Sequence, residues 1–219
     1  MTEDRTIAFV DLAGFTALTE VHGDTTAVEL IDTFVATTRR AVAHTEASLV
    51  KTIGDAVMLA APDPATALVA VRGVFETCYD AELFLELRAG LHHGAVLVRD
   101  GDFFGGTVNL AARVASRAGS GEALCTATVA AAARELALDI VPLGAHHLRN
   151  VLDAVDLWTI ELCPTRVDLT VDPVCRMRVS CRAAVGRIRH ADVEHWFCSL
   201  DCAHQFTADP DRYLGETES

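Results

Sequence analysis

The chain has 219 residues, 51% of them hydrophobic and 22% charged, which allows a sizeable core and gives length for one domain plus a small second one. The 18 basic against 31 acidic residues leave a formal charge of −13. That balance excludes binding to nucleic acid or to an anionic membrane surface through a basic footprint, because phosphate contacts need one.

The N-terminal residues Met1, Thr2, Glu3, Asp4 and Arg5 make no basic region ahead of a long apolar one, so no secretory signal is expected. The longest uncharged run, residues 123–133, is too short to span a bilayer. A soluble cytoplasmic protein with no nucleic-acid or membrane partner is the expectation.

In chain order, residues 6–12 form an apolar run that reads as a strand with Asp11 near its end. Residues 24–40 read as an amphipathic helix, with Asp24 as its N-cap and Ala27, Leu30, Ile31, Phe34 and Val35 at helical spacing. Residues 48–53 and 56–61 are short strands around Gly54 and Asp55, a hairpin-turn pair. Residues 62–77 are helical, and residues 85–91 and 94–98 read as a second strand pair. Gly105 and Gly106 open a helix at 107–117, which Gly119 and Gly121 close. A helix at 126–136 and strands at 140–148 and 155–162 follow.

This order is roughly βαββαβ with extra elements at the end. It predicts a ferredoxin-like α+β core, an antiparallel sheet with helices on one face. Composition then shifts. Residues 1–163 form the first domain, 164–171 a linker, and 172–219 a small module that carries four of the seven cysteines.

Two groups of residues carry chemistry. Asp11 at a strand end and Asp55 at a hairpin tip can lie at one edge of the sheet. Paired carboxylates there suit two divalent ions, which prefer hard oxygen ligands. Asp after Gly is also ordinary turn chemistry. Asn109 and Arg113 are spaced i,i+4 and so share one face of their helix. A guanidinium can clamp a phosphoryl group with forked donors, and the two glycines before the helix allow close backbone approach to an anion. Carboxylates carry metal, metal neutralises polyphosphate, and Arg113 offsets charge at phosphorus. Together these make a two-metal phosphoryl-transfer site.

The segments Phe9-Val-Asp-Leu-Ala-Gly-Phe-Thr16, Val50-Lys-Thr-Ile-Gly-Asp55, Gly90-Leu-His-His-Gly94 and Asp102-Phe-Phe-Gly-Gly-Thr-Val-Asn-Leu-Ala-Ala-Arg113 resemble the class III nucleotidyl cyclases, in the family's order, over residues 5–162. The resemblance implies Asp11 and Asp55 as the Mg²⁺ or Mn²⁺ carboxylates, two ions per site. It implies Lys51 and Asp102 as the purine-selecting pair of adenylate cyclases, Asn109 as the ribose-orienting residue and Arg113 as the transition-state residue. Arg149 stands where the family often has a phosphate-binding lysine, although the glycine that commonly follows is Asn150 here. It further implies conversion of ATP to cyclic AMP and pyrophosphate at a head-to-tail homodimer interface. One protomer would give Asp11 and Asp55 and its partner Lys51, Asp102, Asn109 and Arg113. Lys51 is also the single lysine of the chain. His92 and His93 beside Gly94 read as packing or rim residues, and His22, His44, His146 and His147 carry no stronger signal.

In the tail the spacing is Cys175-x22-Cys198-x3-Cys202. Three thiolates can bind Zn²⁺, Cu⁺ or Fe²⁺, and Cys181, His190, His195 and His204 are the candidates for a fourth ligand. Asp172-Pro-Val-Cys-Arg-Met-Arg-Val179, His195-Trp-Phe-Cys-Ser-Leu-Asp-Cys202, Phe206 and Asp209-Pro-Asp-Arg-Tyr213 resemble a YHS domain, related to the TRASH metal-binding modules, over residues 172–214. Arg176 and Asp192 stand where that family usually has glycine. A structural staple and a sensory role for the metal both fit a module this small.

The expectation is a homodimeric adenylate cyclase with a C-terminal metal-binding regulatory module. The alternatives are a nucleotide-binding, metal-responsive regulator without turnover, and a guanylate cyclase, against which Lys51 and Asp102 argue.

Overall fold

The computed structural model describes residues 1–81, 83–163 and 168–214. The expected linker begins at 164–167, outside the described residues. Two compact units emerge. One comprises Met1–Leu12, Thr33–Cys78 and Leu87–Pro164; the other joins Ala13–Asp32 and Tyr79–Glu86 to Thr165–Ser219.

The first unit is built on β1 (Thr2–Ala13), β2 (Ser48–Ile53), β3 (Ala56–Ala61), β4 (Glu86–Arg99), β5 (Asp102–Phe104), β6 (Ala123–Thr126), β7 (Ile140–His146) and β8 (Val155–Ile160). They form one sheet in the order β2-β3-β1-β4-β6-β8-β7, with β5 paired to β4. The β1/β3, β2/β3, β4/β5, β6/β8 and β7/β8 pairs are antiparallel and β4/β6 is parallel, so the sheet is mixed with antiparallel pairing dominant. Its helices are the later part of α1 (Phe15–Val42), α2 (Pro64–Asp80), α3 (Gly106–Arg117) and α4 (Ala127–Glu135).

Thr6, Ile7, Ala8, Phe9 and Val10 of β1 are all buried. Successive strand side chains point to opposite faces, so both faces of the sheet are covered at β1, where the sequence predicts helices on one. On one face, Ala111 and Ala115 of α3 pack with Ile7, Phe9, Met58, Ala60 and Val96. Helix α3 lies almost on the backbone of β4, because a Cβ at Gly90 would sit 2.0 Å from the Ala115 amide nitrogen. Only glycine permits that approach, and it fixes the helix that carries Asn109 and Arg113.

Strand β4 is continuous where two strands are expected. Gly94 makes no turn; its open side receives Thr107, whose Oγ1 donates to the Ala95 carbonyl at 2.7 Å. The short strands β5 and β6 lack a pattern long enough to be read from sequence. Helix α1 begins at Phe15, nine residues before the expected start at Asp24, and is broken at Gly23 (φ 80°, ψ 168°). No described helix is long and apolar enough to cross a membrane.

In the second unit, β9 (Leu169–Val171) pairs antiparallel with β10 (Arg178–Ser180), and β11 (Gly186–His190) with β12 (Val193–Phe197). Helices α5 (Leu200–Ala208) and α6 (Pro210–Leu214) follow. Leu85 bridges to Met177, and the Arg178 amide donates to the Phe84 carbonyl at 2.8 Å. Phe206 is fully buried beside Phe197, His190 and His195. Arg176 (φ 67°) and Asp192 (φ 64°) both adopt the left-handed backbone that favours glycine.

Candidate active site and thiol cluster

Strand register brings the two carboxylates together. Asp11 of β1 lies opposite Ala56 of β3, the residue after Asp55. Gly54 (φ 61°) turns the β2–β3 hairpin tightly enough to place Asp55 at that edge. Burial, then the negative charge of Asp11, raises the Asp55 carboxyl above the ordinary carboxylate range, and the Arg88 guanidinium opposes this. Asp11 Oδ2 accepts from Arg88 Nε at 2.7 Å and Nη2 at 2.5 Å, while Asp11 Oδ1 is buried with no hydrogen-bond partner. A buried orphan carboxylate oxygen beside a second carboxyl is a donor set that fits a hard divalent cation.

Lys51 and Asp102 meet as predicted for a pair. Lys51 Nζ donates to Asp102 Oδ2 at 2.6 Å and lies 5.6 Å from the centre of the Phe104 ring. Asp102 Oδ1 accepts from the Phe103 amide at 2.8 Å. The Lys51 hydrogen bond, helped by that amide, holds the Asp102 carboxyl below its usual value. A register shift between Leu49 and Lys51 falls just before the lysine.

Asn109 is exposed and Arg113 half-buried on α3. Neither side chain is held by an ion pair among the described residues, so both are available to a ligand. Arg149 is exposed, and the following Asn150 (φ 62°) takes the left-handed conformation that the family's glycine would supply. Among the described residues no hydrogen bond or ion pair joins Asp11 or Asp55 to Lys51, Asp102, Asn109, Arg113 or Arg149.

His92 and His93 are tied into the fold: His92 Nδ1 lies 2.8 Å from Thr126 Oγ1, and His93 Nδ1 2.9 Å from Thr6 Oγ1. Burial, then the neighbouring His93, lowers the His92 imidazole.

The three tail thiols converge. Cys198 Sγ is 3.4 Å from Cys175 Sγ and 3.6 Å from Cys202 Sγ. Hydrogen bonds from Cys175 and Cys198 pull the Cys202 thiol down, and the bonds Cys175 shares with Cys198 and Cys202 push Cys175 up. The fully buried Asp172 organises both loops. Its Oδ1 accepts from the Val174 amide at 2.9 Å, and its Oδ2 from the Cys198 amide at 2.8 Å. Ser199 caps α5 by accepting from the Cys202 amide at 3.1 Å.

The fourth group at the thiols differs from every sequence candidate. It is His22, whose Nε2 lies 3.5 Å from Cys198 Sγ and 3.8 Å from Cys202 Sγ. His190 and His195 turn instead to Phe206, His204 is exposed on α5, and Cys181 lies outside the cluster. Sequence separation hides His22, which stands 153 positions before Cys175. Arg88 and Asp172 were also missed as functional residues. Asp172 sits inside the quoted tail motif, so its position was in view without a role.

The profile of the adenylate and guanylate cyclase catalytic domain family matches residues 1–161. An adenylate cyclase of Streptomyces griseus is 43% identical over 110 residues, 50% of this chain and 28% of that protein. A pH-sensitive adenylate cyclase of Mycobacterium tuberculosis is 37% identical over 170 residues, 74% of this chain and 41% of that protein. The chain thus spans less than half the length of these relatives. Adenylate cyclases of Trypanosoma brucei in their monomeric state superpose with a TM-score of 0.68 at 22% identity, over 75% of this chain and 90% of theirs. An adenylyl cyclase of Pseudomonas aeruginosa gives 0.63 at 19%, over 78% and 98%. At these identities the structural likeness speaks to the fold.

Proposed function

The chain belongs to the adenylate and guanylate cyclase catalytic domain family, and from that premise we propose that it converts ATP to 3′,5′-cyclic AMP and pyrophosphate. The observation that carries the choice of ATP is the Lys51–Asp102 pair at 2.6 Å. An ammonium donates to a ring nitrogen of adenine, and a carboxylate accepts from its exocyclic amine. Guanine would set its carbonyl oxygen against the carboxylate, a repulsive arrangement that discriminates by leaving polar groups mismatched. The named relatives are adenylate cyclases, which supports the same reading.

Asp11 and Asp55 would hold two Mg²⁺ or Mn²⁺ ions. When bound, these supply neutralisation of the triphosphate and acidification of the ribose 3′-hydroxyl. Asn109 orients the ribose so that its 3′-oxygen faces the α-phosphorus, Arg113 offsets the charge that develops there, and Arg149 contacts the phosphates. As the resemblance to class III nucleotidyl cyclases implies, the working enzyme is a homodimer in which the carboxylates of one protomer face Lys51, Asp102, Asn109 and Arg113 of its partner. The tail, with its YHS-like wording, binds a soft or borderline metal through Cys175, Cys198 and Cys202 and regulates this activity. A cytoplasmic location follows from the chemistry of free thiols and ATP.

The test is turnover of ATP and GTP in parallel with Mn²⁺. Cyclic AMP from wild type, little cyclic GMP, and loss of product in Asp55→Ala are expected. No cyclic nucleotide from wild type, or equal product from Asp55→Ala, would overturn the reading; a GTP preference would reassign the substrate.

A further inference from the structure

We propose that His22 of helix α1 is the fourth ligand of a closed Cys3His centre for a Zn²⁺-class ion, so that the metal is held jointly by the tail and by a helix of the cyclase-homologous sequence. This rests on the reading of the three thiols as a metal site and adds the ligand and coordination that the tail alone does not contain.

Geometry is the first support. His22 Nε2 and the sulfurs of Cys175, Cys198 and Cys202 all lie within 4.8 Å of one another. Tetrahedral coordination with Zn–S near 2.3 Å and Zn–N near 2.0 Å places sulfurs about 3.8 Å apart and sulfur from nitrogen about 3.6 Å. The observed separations are 3.4 and 3.6 Å between sulfurs and 3.5 and 3.8 Å from sulfur to nitrogen. Four of the six edges of such a tetrahedron are thus within about 0.4 Å of their expected lengths, and the other two are no longer than 4.8 Å. A bonded disulfide needs sulfurs about 2.05 Å apart, well inside these distances.

The backbone on both sides is shaped for this meeting. Helix α1 breaks at Gly23 (φ 80°), directly after His22. His22 therefore ends the first helical stretch, and the stretch that follows takes a new direction. At the start of that first stretch, a Cβ on Gly14 would lie 2.5 Å from Cβ of Arg176, the residue next to Cys175. The start of α1 thus packs at Gly14 against the Arg176 side chain beside Cys175, and the end of the same stretch brings His22 to Cys198 and Cys202. Asp172 completes the support by fixing the Cys175 and Cys198 loops from beneath through backbone amides. Buried outer partners of this kind orient metal ligands.

The donor set selects the ion class. Three thiolates and one imidazole are soft to borderline, which suits Zn²⁺ and disfavours Mg²⁺ or Ca²⁺. Four protein ligands leave no open position, so the centre is structural or sensory rather than hydrolytic. On binding, each coordinating thiol gives its proton to solvent and His22 enters as the neutral ring through Nε2. A cavity of about 270 Å³, bordered by Tyr79, Arg178 and Cys198, opens beside the cluster and gives the ion an approach.

The experiment is X-ray absorption at the zinc edge on the full chain purified under reductant, with metal content measured on the same sample. Wild type is expected to hold one ion per chain, with three sulfurs near 2.3 Å, one nitrogen near 2.0 Å and the outer scattering of a single imidazole. His22→Ala should lose the imidazole signal and weaken competition against a chelator by more than about tenfold, the range that even outer partners of a metal command. His22→Cys, which restores a fourth soft donor, should recover affinity with a four-sulfur shell. Should His22→Ala fail to fold, the wild-type spectrum and the Cys rescue still decide. A metal-loaded wild type without imidazole scattering, or a His22→Ala spectrum identical to it, overturns His22 while leaving the thiol site in place. A reduced, folded wild type that takes up no metal overturns both.

Discussion

The Asp11–Asp55 edge and the Cys175–Cys198–Cys202 knuckle are both clusters of acidic side chains, and the fold treats them in opposite ways. At the carboxylates it leaves the cluster open. Asp11 Oδ1 has no partner, and Arg88 neutralises only the other oxygen. The residues that would meet a nucleotide, Asn109 and Arg113, are carried on α3 with no ion pair among the described residues. At the thiols it closes the cluster: Asp172 and Ser199 secure the loops, and His22 fills the fourth corner. An open cluster exchanges substrate, whereas a closed one keeps its ion. Substitutions at the first should therefore change rate with little change in stability, and those at the second should change metal content and stability first.

The largest expected departure is at the open site. Arg113→Ala should lower kcat by roughly a hundredfold to a thousandfold with a modest change in KM, because the group acts on charge present only in the transition state. Circular dichroism and the melting temperature should stay near wild type. A variant that loses stability in step with activity would erase the contrast between the two clusters.

Next comes the closed site. Asp172→Asn keeps the shape but offers one acceptor oxygen where two are used, toward the Val174 and Cys198 amides. Metal affinity, read by chelator competition, should fall about tenfold to a hundredfold. Burial already pushes the Asp172 carboxyl up, against the pull of those amides, so the site has little reserve for the loss of one of them.

Base selection should respond more mildly. Lys51→Arg puts a broad fork where a slim ammonium pairs with Asp102, and Asp102→Ala removes the acceptor. Either should cut the preference for ATP over GTP by about tenfold, measured as the ratio of kcat/KM values. Unchanged selectivity in both variants would detach the pair from purine recognition.

The smallest effect concerns acid stability. The folded His92 imidazole titrates below its usual 6.5 because it is buried and lies beside His93. The unfolded chain then binds that proton more readily. This contribution is intact above about pH 6.5 and is lost as pH falls through the unfolded value toward the folded one. His92→Gln should flatten the acid side of the melting-temperature profile by a small amount. An unchanged slope would assign the acid sensitivity to other groups.

The two strands around Gly54 and Asp55 are legible to the residue, because two short runs, one of them wholly apolar, flank a turn pair. Local signals also place α3 to within one residue. The Lys51–Asp102 contact was foreseeable only through family resemblance, since the partners lie 51 positions apart and meet by sheet topology. Gly94 opens the second expected strand in sequence, yet here it lies inside one continuous strand and leaves the space for Thr107. The helix break at Gly23 was visible as a glycine, but its consequence, a histidine delivered to distant thiols, depends on tertiary contact. His22 has no neighbour in sequence that marks it. Arg88 likewise looks like any strand-edge arginine until β4 lies beside Asp11.

The central claim is that each active site is shared between two chains, and mixing tests it most directly. On the proposed roles, Asp55→Ala would lack a metal carboxylate and Arg113→Ala the transition-state donor, so each should be nearly silent alone. Equal amounts of the two, allowed to exchange subunits, should form half heterodimers, each with one intact site. Cyclic AMP production should then return to about a quarter of the wild-type rate. A mixture that exchanges subunits and stays silent beside an active wild type would contradict the account.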